Sequence, residues 1–370
     1  MQDPSRILVT GANGQVGHEV LRALADPARE PDPHPPLTGH PLPEGEGKTT
    51  TTPRHVRGDE NSLNPSPLGR GGAGANARAA RGVRVRDREI IPATRSGMLD
   101  DGMRCESLDL AYFDGLSKAL DRIAPNVIIN AAAYTAVDRA EDEAELAQRI
   151  NGEALGVLGA WAKQHAARVV HYSTDYVFDG RANRAYREDD ATHPVSAYGR
   201  SKLAGEIALR ESGARHLIFR TAWVYAARGH NFLRTMLRVG AERDTLRVVD
   251  DQIGAPTPAR LIADVTAQAV AQWRIDETPA RDGVYHLVAS GQTSWCRFAR
   301  AIFERAQTVG LIERAPSVQA IRTDEYPTKA TRPAWSVLDT GKLRATFDIT
   351  LPDWQAALDG VMEELPNRRS

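Results

Sequence analysis

The chain has 370 residues and a formal net charge of -1; its 41% hydrophobic content sits slightly below the usual globular range because a polar stretch dilutes it. That length exceeds one average domain and allows two lobes or one enlarged α/β domain, while the near-neutral balance offers no basic face for nucleic acid. Two cysteines, Cys105 and Cys296, stand in unrelated contexts, which excludes a disulfide framework or a cysteine-based zinc site, and no run approaches the ~20 apolar residues that a membrane span requires.

Arg6-Ile-Leu-Val-Thr10 reads as a short buried strand, reached without a charged and then apolar leader pattern, so a cytoplasmic protein is expected. It runs into Gly11-Ala-Asn-Gly14-Gln15-Val16-Gly17 and then a helical pattern with Val20, Leu21 and Leu24 on the inner side. Strand, glycine-rich turn and helix form the setting of a dinucleotide-binding turn. Gly11 permits the tight turn, Gly14 admits a pyrophosphate to backbone N–H groups, and Gly17 lets helix and strand pack closely. The spacing is G-x-x-G-x-x-G, not G-x-G-x-x-G. From about 27 to 88, Pro, Gly, Thr, Arg and Asn dominate. Such a stretch buries too little apolar surface to offset its ordering entropy, so a disordered surface insertion is expected.

Glu89–Thr94 resumes as the second strand, with Pro92 awkward for a central position. Thr94-Arg95-Ser96 follows, without an acid to take a ribose 2′-hydroxyl. An arginine and small hydroxyls suit a 2′-phosphate, which favours NADPH and leaves NADH possible. Leu108-Asp109-Leu110 reads as a strand end, Ala111–Ile123 as a helix stopped by Pro125, and Val127–Asn130 as a buried strand. Small residues at Ala131, Ala132 and Ala133 would let a nicotinamide ribose lie on the backbone. Asp138–Asn151 and Ala154–His165 read as helices and Arg168–Ser173 as a strand. Strands spaced by helices predict an α/β fold with a doubly wound, Rossmann-type parallel sheet.

After a polar loop comes Ser196-Ala-Tyr-Gly-Arg-Ser-Lys202, a helix running to about Glu211. Tyr198 and Lys202 are four residues apart, so both side chains leave one helical face. A cation held near a phenol favours the phenolate, which makes the pair a means of moving a proton in carbonyl reduction or alcohol oxidation. His216–Arg220 is the next strand, and Thr221–Tyr225, with Trp223, lies beyond its carboxyl end, where ligands sit in such sheets. Further on, Phe232–Glu242, Ala259–Gln272, Trp295–Ala306 (capped by Ser294) and Trp354–Glu364 read as helices, and Leu246–Val249 and Gly283–Val288 as strands. The expected division is a dinucleotide-binding domain over 1–230 and a smaller mixed α/β lobe, mainly substrate-binding, over 231–370.

A hydroxyl at the end of one strand, Ser173 or Thr174, and the Tyr198/Lys202 pair on the next helix can converge on one carbonyl oxygen. With the glycine turn and Asn130-Ala-Ala-Ala133 this resembles the extended short-chain dehydrogenase/reductase superfamily. Asn130–Asp138, His171–Phe178, Tyr198–Glu206, Phe219–Tyr225, Asp251–Thr257, Tyr285–Gly291 and Arg332-Pro333 narrow the resemblance to the dTDP-4-dehydrorhamnose reductase family, over nearly the whole chain outside 27–88. The resemblance implies that Tyr198 protonates the C4 oxygen of a nucleotide keto-sugar, that Lys202 holds the nicotinamide ribose and tunes Tyr198, and that Thr174 hydrogen-bonds the same oxygen. It places Asp175 and Trp223 at the sugar. It places Gly14, Gln15, Val16, Asp109, Leu110 and Ala131–Ala133 at the cofactor, and Gln252, Thr257 and Arg332 at the nucleotide-diphosphate end. Some members hold a magnesium ion with acidic side chains at a dimer contact. Glu19 is a candidate ligand, but Arg260 stands where an acid is expected, so monomer and homodimer both stay open.

Two other readings keep the fold. A nucleotide-sugar epimerase would retain its NAD, and a dehydratase would need a further acid/base pair, commonly Asp-Glu after the Ser/Thr, where this chain has Asp175-Tyr176. A non-catalytic binding subunit would have no need of Thr174, Tyr198 and Lys202 together.

Overall fold

The computed structural model describes residues 5–26, 83–85, 88–274 and 279–365. These belong to one compact unit made of residues 1–30 and 79–370. In chain order the first half comprises β1 (Ser5–Thr10), α1 (Gln15–Ala25), β2 (Val83–Val85), β3 (Arg88–Thr94), β4 (Glu106–Ser107), α2 (Phe113–Ile123), β5 (Val127–Asn130), α3 (Ala144–Gln148), α4 (Ala154–Gln164), β6 (Arg168–Thr174) and α5 (Ala197–Glu211). The second half comprises β7 (Arg215–Thr221), β8 (Val224–Tyr225), α6 (Phe232–Glu242), β9 (Thr245–Val249), β10 (Ile253–Gly254), β11 (Thr257–Pro258), α7 (Ala259–Arg274), β12 (Gly283–His286), β13 (Thr293–Ser294), α8 (Trp295–Thr308), β14 (Ser317–Ile321), α9 (Gly341–Phe347) and α10 (Trp354–Glu363).

The central sheet has the order β12-β7-β6-β5-β1-β3-β2, with β4 also paired to β3. Every pairing from β12 to β3 is parallel, as the strand–helix alternation predicts. Alternate residues of each strand serve opposite faces. Ile7, Val9, Ile129, Val170 and Phe219 enter one core with α1, α7 and α9. Leu8, Ile128, Val169 and Ile218 enter the other with α2, α4 and α5. Burial on both faces explains why these strands read as continuous apolar runs. A third cluster is built mainly from α6, α8 and α10.

The structure amends several expectations. Most of the 27–88 insertion lies outside the described residues, but Val83–Val85 is a strand antiparallel to β3, and Arg88 already belongs to β3. Pro92 sits in β3 between the stretch paired with β2 and the stretch paired with β4. There a missing N–H falls in a gap between two short outer strands. The strand end expected at Leu108–Leu110 lies earlier, at Glu106–Ser107, because Asp109 instead turns the chain by accepting from Ala111 N at 2.9 Å. The helix over Asp138–Asn151 is broken into a 3-10 turn at Arg139–Glu141, α3 and a π turn at Arg149–Glu153. The strand expected over Gly283–Val288 ends at His286. Beyond residue 230 the chain returns to the sheet, since β12 pairs with β7 and α7 packs on the face that holds α1. No helix among the described residues is long and apolar enough to cross a membrane.

Candidate active site

The glycine turn is built as its sequence requires. Gly11 has φ +66°, and a Cβ there would stand 2.6 Å from Ala132 N and 2.8 Å from Ala131 C. A Cβ on Gly17 would stand 2.2 Å from Gly11 O, so helix and turn meet backbone to backbone. Gly14 N donates to Gly11 O at 2.8 Å, and Gly14 caps α1 without any side-chain cap. The first N–H groups of α1 are therefore left to a ligand, with no acidic residue in the first turn to repel an anion. Val16 is half-buried against the α1/α7 core. The Gln15 amide accepts from Asn231 Nδ2 at 2.9 Å and is thereby turned toward the segment after β8.

The rest of the expected cofactor surface borders this turn. Ala131, Ala132 and Ala133 are half-exposed beyond the carboxyl end of β5. Leu110 is buried in the core beside α2, and Asp109 spends one oxygen on its own turn. Thr94 is buried, and its hydroxyl bonds Met98 N and Met98 O at 3.1 and 3.0 Å, so it holds the 94–98 turn together. Arg95 is exposed at the tip of that turn. Of the two, Arg95 is the side chain presented outward.

The reactive groups gather at the carboxyl ends of β5, β6 and β7. Ser196 caps α5 by accepting from Gly199 N at 3.1 Å, which sets Tyr198 in the first turn and Lys202 in the second. Gly199 is required there, because a Cβ would stand 2.3 Å from Tyr176 O. Tyr198 is half-buried, with Tyr176 edge-on at a centroid distance of 5.6 Å. Burial and the Asp175 charge push its phenol well above the usual range, while the facing Thr174 hydroxyl works the other way. Lys202 is fully buried. Burial lowers its ammonium to about 7, opposed by Glu206 one turn later.

The expected depression of the Tyr198 phenol by Lys202 is therefore not what the structure shows. The Lys202 ammonium is turned to Tyr172 O at 2.6 Å and His171 Nε2 at 3.1 Å. Thr174 also has a prior commitment: its hydroxyl donates to Asp175 Oδ1 at 2.9 Å and accepts from Tyr176 N at 3.2 Å. Burial pushes the Asp175 carboxyl up to about 6, against hydrogen bonds from Ser336 and Thr174. Ser173 Oγ and Thr221 Oγ1 are buried nearby without hydrogen-bond partners. Unpaired hydroxyls are costly in a core; at the carboxyl end of an open sheet they mark the place for a polar ligand.

Trp223 holds an unusual backbone, with φ +50° in a non-glycine residue. Its indole stacks on Trp295 with centroids 3.6 Å apart and planes at 7°, and a Cβ on Gly254 would stand 2.6 Å from it. Strain of this kind persists only where neighbours enforce it, and it concentrates at ligand-binding places. The other three expected contacts are engaged elsewhere. Arg332 makes a fork to Asp138, at 3.1 and 2.6 Å. Gln252 is buried and donates to Thr323 Oγ1 at 3.1 Å. Thr257 is fully buried, with its hydroxyl bridging Ala255 O and Ala289 N. That position fixes the β11 turn and presents no surface to a ligand.

Sequence reasoning passed over Asn130, His171, Tyr176 and Trp295 as individual residues. His171 and Asn130 have a signal in retrospect: each is a polar residue inside an apolar run in a strand buried on both faces.

Comparison with known proteins identifies the family. The family model described as RmlD substrate binding domain matches residues 69–367. The dTDP-4-dehydrorhamnose reductase of Burkholderia thailandensis is 48% identical over 364 residues, covering 97% of this chain and 99% of that protein. The Escherichia coli K12 protein of the same name is 46% identical over 258 residues, 70% of this chain and 85% of that one. Among solved structures, dTDP-4-dehydrorhamnose reductase from Bacillus anthracis in complex with NADP has a TM-score of 0.72 and 28% identity, covering 98% of this chain and 99% of that chain. A dinucleotide turn, a Thr/Tyr/Lys cluster and matches of this extent together place the chain in the dTDP-4-dehydrorhamnose reductase family.

Proposed function

We propose that the chain reduces the C4 ketone of dTDP-4-dehydro-L-rhamnose to dTDP-L-rhamnose with NADPH, the last step of dTDP-rhamnose synthesis. The observation that carries this reading is Tyr198 facing Thr174 at the carboxyl end of β6, with Lys202 one turn on in the same helix, at the same end of the sheet as the Gly11–Gly17 turn. The bound dinucleotide would supply hydride to the carbonyl carbon. The residues fit it: Gly11 and Gly17 leave the backbone bare, the α1 amino end is uncapped, and Ala131–Ala133 form a low rim. Tyr198, whose environment keeps it protonated at neutral pH, donates to the C4 oxygen. Lys202 donates to Tyr172 O and lies 3.1 Å from His171 Nε2; as an ammonium it keeps a further N–H for the nicotinamide ribose. Thr174 reaches the same oxygen by releasing Asp175. Asp175 and the Trp223 ring line the sugar side, and Arg332 reaches a diphosphate only by leaving Asp138. Arg95 is the group placed to favour NADPH over NADH. Within this reading, residues 231–370 supply mainly the substrate side.

A magnesium ion does not fit around Glu19. Both of its oxygens face Arg22 Nη1, at 3.3 and 3.1 Å, and Arg260 pairs with Glu364 at 2.8 Å beside it. Among the described residues no group of three His, Cys, Asp or Glu side chains could hold a metal ion.

The reading is tested by supplying dTDP-4-dehydro-L-rhamnose with NADPH or NADH and following loss of the reduced nicotinamide together with the sugar product. Tyr198→Phe is expected to lower kcat by roughly 10²- to 10⁴-fold with dinucleotide binding nearly intact. Unchanged turnover in that variant removes Tyr198 as the proton donor, and a sugar product without nicotinamide consumption identifies an epimerase.

A further inference from the structure

Three polar residues lie side by side across the middle of the sheet. Thr10 of β1 is in register with Asn130 of β5, and Asn130 with His171 of β6. All three are at most 1% exposed. Thr10 Oγ1 meets Asn130 Oδ1 at 2.6 Å, Asn130 Nδ2 meets His171 Nδ1 at 3.2 Å, and His171 Nε2 meets Lys202 Nζ at 3.1 Å. The row begins one residue before Gly11 and ends on the lysine of the Tyr-x-x-x-Lys pair. Polar groups so deeply buried are costly unless each finds its partner, and here the partners lead from the dinucleotide turn to the reactive helix.

We propose that His171 is a positioning residue for Lys202, an acceptor that, with Tyr172 O, fixes two of the three ammonium N–H groups so that the third points to the bound ribose. This rests on the function proposed above. A neutral imidazole carries one proton, so an ammonium at Nε2 places that proton on Nδ1. Nδ1–H then needs the carboxamide oxygen of Asn130, and the amide nitrogen turns to Thr10. In the carboxamide orientation of this structure, with Asn130 Oδ1 accepting from Thr10 and Asn130 Nδ2 donating to His171 Nδ1, Nε2 carries the proton and meets an uncharged amine. Asn130 serves either case by half a turn of its side chain, so the row stays paired whichever charge Lys202 holds. Burial and the Lys202 charge keep the imidazole well below its ordinary range, hence neutral. The charged and titratable groups facing Lys202 are Glu206 on its own helix, His171 on β6, and Arg220 on β7 through its pair with Glu206, while Tyr172 offers only its backbone oxygen.

The test compares His171→Phe, which keeps a flat ring but offers no acceptor, with His171→Gln, whose amide oxygen can accept from Lys202. Each is made in the wild-type and Lys202→Met backgrounds. The readouts are kcat, KM for each substrate, the pH profile of kcat/KM, and NADPH affinity by fluorescence titration. His171→Phe is expected to lower kcat about 10- to 100-fold, the scale on which misplacement of a reacting group acts. It should weaken NADPH binding and displace the alkaline limb of the profile, while His171→Gln recovers activity to within about threefold of wild type. In the Lys202→Met background, neither substitution should lower kcat further. A fully additive loss there, a pH profile unmoved in His171→Phe, or a His171→Gln protein as impaired as His171→Phe each overturns the proposal. If His171→Phe does not fold, His171→Gln and its double variant decide by the same criteria. If the wild-type protein fails to reduce the keto-sugar, the functional reading falls, and NADPH affinity still reports whether His171 governs Lys202.

Discussion

Arg220 and Glu206 form a buried ion pair whose loss can be predicted in both stability and catalysis. Arg220 Nε and Nη2 lie 2.9 and 2.7 Å from the two oxygens of Glu206, with the side chains 2% and 0% exposed. The pair ties the second half of α5 to β7, and Arg220 also lies over the Phe178 ring at 5.1 Å. Arg220→Met strands a carboxylate in the core, and breaking such a pair costs about 3–5 kcal/mol. For a chain of this size that corresponds to a fall in Tm of roughly 4–6 °C. Arg220→Met combined with Glu206→Leu removes both charges, so most of the loss should return. Urea unfolding followed by tryptophan fluorescence measures both variants. Glu206 also raises the Lys202 ammonium, so Glu206→Gln should move the alkaline limb of kcat/KM to lower pH. A single variant within about 1 kcal/mol of wild type, or a double variant less stable than Arg220→Met, would refute the reasoning.

Gly11→Ala adds a side chain where φ is +66° and the nearest backbone atom is 2.6 Å away. The left-handed backbone alone costs about 1–2 kcal/mol, so NADPH binding, measured by fluorescence titration, should weaken at least about tenfold; unaltered affinity would remove the turn from the cofactor site. Lys202 is cationic below a pKa of about 7 in the free protein, so kcat/KM should fall as pH rises through that value. Lys202→Arg, which stays charged, should lose that limb at whatever activity remains, and an unchanged limb would assign it to another group. Arg95→Ala should cut the NADPH preference over NADH by about tenfold, the value of one charge-assisted bond; an unchanged ratio of kcat/KM would return Arg95 to the role of a surface residue.

What was legible in the sequence was local. Strand, glycine turn and helix follow one another within 20 residues, and the requirement at Gly11 and Gly17 is steric, so the residue type itself reports the backbone. Tyr198 and Lys202 share one helix whose cap, Ser196, is also in the sequence. The register of the sheet was not legible, and register decides what these groups touch. Thr10, Asn130 and His171 lie 120 and 41 residues apart in sequence and become neighbours only when β1, β5 and β6 align. Trp223 meets Trp295 by stacking across the lobe, and Arg332 meets Asp138 across 194 residues. Contacts across the fold also explain why the roles expected of Lys202 and Arg332 differ from their resting partners, while the resting partner of Thr174 is its chain neighbour. Each is already hydrogen-bonded within the protein, to His171, Asp175 and Asp138 respectively. For Thr174 and Arg332 a ligand must exchange one charge-assisted bond for another, so the net gain is the small difference between two similar energies. Lys202 needs no exchange, because as an ammonium it keeps a further N–H beyond those at Tyr172 O and His171 Nε2. Under the proposed reading, Lys202 is then available to the cofactor from the outset and Thr174 and Arg332 only after their partners yield, so substitution of the latter two should alter kcat or the sugar KM before it alters NADPH affinity.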